Sequence, residues 1–408
     1  MNQSRPAFSI LLPTYNRGYI LPLAIRSVLG QTFSDFELII SNGGSTDNTD
    51  EVVRGFTDTR IRYFNSYKKL SMAENYELTL NSAEGEYIIF FSDDDAFVPT
   101  LLQKVRDVIE NTGAKMVVFP FARYYHEDRV ETGSRRNTLG FMHFTGNVYS
   151  VQSRDDIRRM AAVYGLAKRS YSAKYTSPLI GNVVFHRGIL DELSSKVNHL
   201  FSTIPVDIYV ITLILSCIDS YVVIDEPLLV WSQWAQNSSV GIKKDLREHY
   251  EKLLGGKTLE YVPLKFPLPI NCGANALLTA ANDIGMDWSV FGVDWKHYYV
   301  EMQNYLIYLE GEGVDISKEM AELKQVAKKQ GADIQDAVEN SKSATRFLLK
   351  RIIKQTPFGK ALRRVKRRIS KPLDDIEIYG DRSKFADVNE SAIYLSMNLE
   401  ALKRDSST

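Results

Sequence analysis

The sequence predicts an α/β protein, with a mostly parallel sheet flanked by helices and a C-terminal helical region. Three observations predict this. Short apolar runs alternate with helix-period segments over the first 120 residues. Several of those runs open into polar loops rich in Gly, Asn, Asp and Ser. The balance of 44% hydrophobic and 25% charged residues is that of a soluble globular chain, so a core of this kind is within reach.

The elements follow in order. "FSILLP" reads as a strand that stops at Pro13, and Ile20, Leu21, Ala24, Ile25 and Val28 follow at helical spacing. "ELII" is a second strand, and "SNGGSTDNT" after it a glycine-rich loop with Asp47 as N-cap of the next helix. "IRYF" is a third strand, and "SMAENYELTLNSAEG" a helix ending at Gly85. "EYIIFF" is a fourth strand, running into three aspartates. Pro99 then precedes the helix "TLLQKVRDVIENTG", closed by Gly113, and "MVVF" is a fifth strand. Strands joined by crossover helices make a parallel sheet that binds ligands at the carboxyl ends of its strands.

Beyond this half, residues 121–241 lose the clear alternation but keep a helix-like "VDIYVITLILSCI" and a strand-like "YVVIDEPLLVW". Residues 242–340 read as a helical accessory region. Residues 341–408 form a basic amphipathic segment and a mixed-charge tail. Two cysteines, Cys217 and Cys272, make no disulfide framework and point to a reducing compartment. The N-terminus lacks a signal-peptide layout, and the apolar run Ile208 to Ile218 is about half of the ~20 residues a membrane span needs. The expectation is a cytoplasmic protein.

Asp93, Asp94 and Asp95 repel one another at the end of a predicted strand, and Asp is a poor strand former. Water, turn donors or a cation must offset that repulsion. Magnesium and manganese bind through one or two carboxylates plus substrate phosphates, so a metal–diphosphate site answers it.

"LLPTYNR", "ELIISNGGSTDNT" and "AEGEYIIFFSDDDAFVP", in this order and spacing, resemble the inverting family 2 glycosyltransferases of GT-A fold, a Rossmann-like arrangement. The resemblance covers about the first 120 residues and extends more loosely to Gly241. It implies a nucleotide-diphosphate sugar as donor and Mn2+ or Mg2+ as cofactor. It implies that Pro13, Thr14 and Tyr15 contact the nucleoside, with Arg17 nearby, and that Asn42 reads the base. Asn75 joins the donor-binding set. Asp93 would face the ribose, Asp94 the metal, and Asp95 would stand alongside as a further metal-site carboxylate. Asp207, at the start of a helix in the acceptor half, matches the catalytic base, with Asp191, Asp219 and Asp225 as weaker competitors.

The chain also departs from the family pattern. Asn42-Gly43-Gly44-Ser45 replaces the usual Asp-Asp-Gly-Ser, Glu74 stands where many relatives carry an Arg, and Trp234 stands near the place of a metal-approaching His. His126, His143 and His186 read as ordinary surface or core residues.

The second functional feature is charge. Between Lys342 and Lys371 there are 12 Lys/Arg and no Asp/Glu, which leaves 38 basic against 50 acidic residues elsewhere. In "FGKALRRVKRRIS", Phe358, Leu362, Val365 and Ile369 share one helical face. A basic amphipathic helix suits an anionic membrane surface, and residues 342–371 are expected to hold the protein peripherally at the inner face of the plasma membrane. No recognition motif accompanies the charge, so nucleic acid is not an expected partner.

The leading expectation is a metal-dependent inverting transferase that moves a sugar from a nucleotide donor to a glycan or lipid-linked acceptor, in bacterial surface-polysaccharide synthesis. The alternatives are a degenerate, non-catalytic membrane-associated scaffold and a sugar nucleotidyltransferase. "PTYNRGY" lacks the glycine-rich basic loop that the nucleotidyltransferase would show.

Overall fold

The computed structural model describes residues 5–126, 137–168, 177–233, 246–311, 313–332, 376–379 and 385–402. Two compact units share the chain. The first holds residues 1–156, 173–240 and 376–408, and the second holds 157–172 and 241–375.

The first unit opens as the alternation predicts. Its elements are β1 (Phe8–Thr14), α1 (Leu21–Leu29), β2 (Phe36–Asn42), α2 (Thr49–Arg54), β3 (Ile61–Asn65), α3 (Met72–Ser82) and β4 (Tyr87–Phe90). After the aspartates come β5 (Ala96–Phe97), α4 (Leu101–Thr112), β6 (Met116–Val118), β7 (Phe121–Tyr125), β8 (Thr138–Met142), β9 (Val148–Gln152) and the start of α5 (Ser153–Val163). The unit continues with β10 (Val183–His186), α6 (Gly188–Ser194), α7 (Val206–Ser216), β11 (Ser220–Ile224) and β12 (Leu229–Gln233).

Strands β3, β2, β1 and β4 lie side by side and parallel, with Thr14 abreast of Asn42 and Asn42 abreast of Asn65. That register lines up the carboxyl ends of three strands on one edge. Phe8, Ile10, Leu11, Leu12, Leu38, Ile39, Ile40, Ile88 and Ile89 are all buried, as expected for strands covered on both faces. Leu21, Ala24, Ile25 and Val28 of α1 are buried at the spacing read from the sequence.

The sheet departs from an all-parallel order at its middle. β10 enters between β4 and β6, antiparallel to both, with Val184 opposite Ile89 on one side and Val117 on the other. Neighbour choice over about 100 residues leaves no local trace, so a run such as β10 cannot announce its slot. "YVVIDEPLLVW" divides in two: β11 stays in the eight-stranded sheet, and β12 joins a second sheet beside β7 and β5.

Caps follow the predicted chemistry with adjustments. Gly113 closes α4 in the left-handed region at φ 66°. Ala83, not Gly85, caps α3. Gly85 is needed for close approach, since a Cβ there would lie 2.6 Å from the Ser9 backbone nitrogen. Asn48 is the N-cap of α2, while the Asp47 carboxylate accepts from the backbone N–H of Thr49 and of Gly18.

The second unit contains the rest of α5, α8 (Leu246–Leu254), α9 (Pro269–Asp283), α10 (Trp295–Gly311) and α11 (Ser317–Lys329). The described helices of this unit within 242–340 lie between Leu246 and Lys329, and the unit also takes in 157–168. α9 is buried along most of its length, and Asn271 on it donates to the carbonyls of Leu264 and Phe266, each at 2.8 Å. Arg247 Nη1 pairs with the buried Glu319 at 2.6 Å.

The chain end differs from the expected tail. β13 (Ile376–Tyr379) pairs antiparallel with β8, and α12 (Val388–Leu402) packs on α1, β5 and β12. Val388, Ala392, Leu395 and Leu399 recur at helical spacing and sit in the same core cluster as β1 and α1. Tyr124 donates its hydroxyl to the Phe385 carbonyl at 3.1 Å, and Asn389 donates to the Leu23 carbonyl at 2.9 Å. Residues 376–402 are thus part of the first unit, and the segment bounded at 341 is not one element. Trp234 and the basic run 342–371 lie outside the described residues. Among the described residues, no helix is long and apolar enough to cross a membrane.

Leu395 is fully buried, so Leu395→Ala should destabilise the first unit by about 2–5 kcal/mol. Chemical denaturation would show this as a lower midpoint. An unchanged midpoint would mean that α12 is dispensable to the core.

Candidate active site

The site is built from the ends of β1, β2 and β4. Thr14, the last residue of β1, donates its hydroxyl to Asp93 Oδ2 at 2.7 Å. Its carbonyl accepts from Asn75 Nδ2 at 3.1 Å and from the Gly43 N–H at 2.9 Å. Pro13 is half-buried beneath it, and Tyr15 is exposed, with Lys69 Nζ 5.3 Å from its ring centre. Asn16 then turns the chain through the left-handed region at φ 54°, which Asn tolerates better than most residues. Its side chain accepts from the Thr46 N–H at 2.8 Å, and its own N–H donates to Ser45 Oγ at 2.8 Å. The turn after β1 is thereby joined to the loop after β2.

Arg17 lies on the same turn, its Nε 3.8 Å from Asp93 Oδ1. The loop after β2 is fastened on its other side as well. Gly44 has φ 81°, and a Cβ there would come within 2.3 Å of the Lys68 carbonyl oxygen, so the close approach of these two loops requires glycine.

Asn42 is fully buried. Its Oδ1 accepts from the Ser45 N–H at 2.9 Å and its Nδ2 donates to Tyr63 Oη at 3.1 Å. Tyr63 in turn donates to Asp50 at 2.7 Å, and Asn65 donates to the same oxygen at 2.8 Å. Asn42, the residue expected to read the base, thus lies buried and bonded between the loop after β2 and Tyr63 of β3. Asn75 is also buried and ties two strand ends together, accepting from Ser41 Oγ at 2.6 Å while donating to Thr14. Glu74, one residue earlier, is exposed and used in a capping box with Ser71, so its carboxylate serves the helix terminus.

The three aspartates separate by environment. Asp93 is held by Thr14 and faces Arg17. Burial and then the charge of Asp94 push its carboxyl up to about 7, against the pull of Arg17 and Thr14. Asp94 accepts from Ser92 Oγ at 2.6 Å. Asp95 accepts from the Ser232 N–H at 2.9 Å and so fastens β12 behind the site; burial and Asp94 hold its carboxyl well above the usual range. The carboxylates offer hard oxygen donors, which suit Mg2+ or Mn2+. Among the described residues no group of three His, Cys, Asp or Glu is placed to hold a metal ion. A pair of carboxylates completed by diphosphate oxygens and water is the arrangement Mg2+ accepts readily.

Asp207 stands in the first turn of α7, half-buried, with burial raising its carboxyl above the ordinary value against the backbone N–H groups of Ile208 and Asp207 itself. Asp219 lies past the far end of that helix, about 16 Å away for 11 residues. Asp225 accepts from the backbone and hydroxyl of Thr145 at 2.9 and 2.6 Å, and Asp191 lies on α6. His126 is buried edge-on to Tyr124, and burial pushes its pKa down to about 3, in keeping with a core residue.

Two neighbours were not read from the sequence. Lys69 brings positive charge to Tyr15 from a loop that shows only ordinary polarity. Tyr76 on α3 lies within electrostatic reach of Asp93, Asp207, Asp94 and Asp95 together. No local pattern marks it, since its aromatic partners Phe90 and Phe201 are far away in sequence.

Residues 9–167 match the family described as glycosyl transferase family 2. Over 109 residues the chain is 38% identical to the GalNAc(5)-diNAcBac-PP-undecaprenol beta-1,3-glucosyltransferase of Campylobacter jejuni, covering 25% of this chain and 35% of that protein. Over 95 residues it is 33% identical to the UDP-Glc:alpha-D-GlcNAc-diphosphoundecaprenol beta-1,3-glucosyltransferase WfgD of Escherichia coli, covering 23% of this chain and 38% of that one. The matched part is thus little more than a third of each relative's length. Among solved structures the chain is similar to S. aureus TarS 1–349 in complex with UDP-GlcNAc, with a TM-score of 0.44, 14% identity, and coverage of 75% of this chain and 82% of that one. The stretch matched to the family includes Thr14, Arg17, Asn42, Asn75 and all three aspartates, so residues 9–167 are similar to glycosyl transferase family 2.

Proposed function

We propose that the protein is a metal-dependent inverting glycosyltransferase that moves a sugar from a nucleotide-diphosphate donor to a glycan or lipid-linked acceptor in bacterial surface-polysaccharide synthesis. The observation that supports this reading is that Thr14, at the carboxyl end of β1, holds Asp93 just past the end of the parallel neighbour β4, with Arg17 beside it. The names of the Campylobacter and Escherichia relatives, both glucosyltransferases with diphospho-undecaprenol-linked substrates, support the lipid-linked acceptor.

Pro13, Thr14 and Tyr15 receive the nucleoside, and Thr14 holds Asp93 towards the ribose. Arg17 and Lys69 supply positive charge near the diphosphate. Asp94 and Asp95 would hold Mn2+ or Mg2+, which would neutralise charge on the departing diphosphate. An acceptor hydroxyl attacks the anomeric carbon opposite the leaving group. The new carbon–oxygen bond forms as the bond to the β-phosphate oxygen breaks, and its electron pair leaves with the nucleoside diphosphate. Asp207 takes the hydroxyl proton. A carboxyl raised by partial burial is a stronger base than an exposed one.

The basic run 342–371 belongs to the same reading on sequence grounds. Each Lys or Arg beside an anionic surface contributes about 1 kcal/mol, enough in sum to hold the enzyme near a lipid-linked acceptor.

Calorimetry should show UDP or GDP binding that requires Mn2+ or Mg2+, is lost with chelator, and is weakened most by Asp94→Ala among the three aspartate changes. Chelator-insensitive binding would remove the metal role. Asp207→Asn should cut turnover by about 10²–10⁴-fold while leaving donor affinity intact. Wild-type turnover should fall as pH drops through a pKa above the ordinary carboxylate range, because the protonated carboxyl cannot accept the proton; near-normal turnover in the variant would move the base elsewhere. Reversing Arg363, Arg364, Arg367 and Arg368 to Glu should release the protein from anionic liposomes without altering its unfolding midpoint. Deleting residues 341–408 cannot test this, since that would also remove α12 from the core. Unchanged partitioning of the charge-reversed protein would sink the membrane contact.

A further inference from the structure

Tyr76 is placed by packing on three sides. Its ring stacks on Phe201 with centroids 5.1 Å apart and planes 26° apart, and meets Phe90 edge-on at 5.6 Å. Phe201 also meets Phe90 edge-on at 5.5 Å, which closes an aromatic trio. Phe90 ends β4 just before the aspartates, and Phe201 lies six residues before Asp207. The neighbouring Glu77 accepts from the Leu200 N–H at 2.8 Å, so consecutive residues of α3 grip the segment that leads to Asp207. The preceding Asn75 is bonded to the end of β1. The backbone around Tyr76 is therefore anchored to both halves of the site.

With its ring committed to packing, the hydroxyl is left over. The phenol oxygen of half-buried Tyr76 bonds to no described residue and is not among the fully buried unpartnered atoms, so it is open to a ligand. It also stands within electrostatic reach of the donor carboxylates and of Asp207 at once. In an in-line displacement, the group between the diphosphate and the base is the sugar being transferred.

We infer that the Tyr76 hydroxyl is a substrate-binding group that donates a hydrogen bond to the transferred sugar of the donor. The inference rests on the functional reading above and adds to it a residue that discriminates a nucleotide sugar from the bare nucleotide. Burial, followed by the charges of Asp93, Asp207, Asp94 and Asp95, raises the phenol above its ordinary value, so it keeps its proton throughout the working pH range. A fixed donor amid carboxylates suits a sugar hydroxyl, which can accept from the phenol while donating to a neighbouring aspartate.

Tyr76→Phe removes only the oxygen and keeps the aromatic trio. UDP and UDP-glucose, with GDP and GDP-mannose as a parallel pair, should be titrated into wild type and variant with Mn2+. The variant should keep the wild-type unfolding midpoint and bare-nucleotide affinity, and bind the preferred nucleotide sugar roughly three- to tenfold more weakly. Equal nucleotide-sugar affinity in the two proteins would overturn the inference and leave the functional reading standing. An equal loss for bare nucleotide and nucleotide sugar would also overturn it, by making Tyr76 a brace only. If wild type binds neither pair, both the functional reading and the inference fall.

Discussion

Asp93, Asp94 and Asp95 stand at the end of β4 with little access to water, and much of the surrounding structure answers their mutual repulsion. Two carboxylates at about 4 Å repel by about 4 kcal/mol at an effective dielectric near 20, while a hydrogen bond to a charged group returns about 1.5–3 kcal/mol. Thr14, Ser92 and the Ser232 N–H each supply one such bond, and Arg17 adds a nearby positive charge. These donors reduce the repulsion without cancelling it. Burial first, and then the charge of Asp94, hold the carboxyls of Asp93 and Asp95 above the ordinary range. In the proposed function a divalent cation would offset this repulsion and so link donor binding to the metal.

The same donors tie the fold together. Thr14 is the end of β1, so the donor-side carboxylate is anchored to the centre of the parallel sheet. Ser232 lies in β12, so Asp95 links the site to the second sheet, where α12 also packs. Helix α3 supplies the remaining link through three successive residues. Asn75 holds the ends of β1 and β2, Tyr76 packs on Phe90 and Phe201, and Glu77 holds the segment before Asp207. One helix thus joins the strand ends to the segment that leads into α7.

Most of the parallel half was legible because its information is local. Continuous apolar runs marked β1, β2 and β4, Gly113 marked the end of α4, and the aspartates followed a recognisable strand. Features that depend on distant partners were not legible. β10 carries no sign that it will sit antiparallel between β4 and β6, and "YVVIDEPLLVW" gives no sign that it will divide between two sheets. The amphipathic spacing of α12 is visible in the chain, but its target on α1 is not. Within the site, Asn42 was assigned by position in a motif, yet its burial follows from Tyr63 on the next strand, a contact the motif does not encode. Tyr76 escaped notice for a similar reason, since its surroundings come from two distant segments, one with Phe90 and the aspartates and one with Phe201 and Asp207.

A mechanism with Asp207 as base and no protein nucleophile has a direct stereochemical consequence. Proton NMR of the product, made from a nucleotide sugar of known anomeric configuration, reads that configuration from the coupling constant of the anomeric proton. A single displacement predicts the configuration opposite to that of the donor. Retained configuration would contradict the assignment of Asp207 and the account built on it.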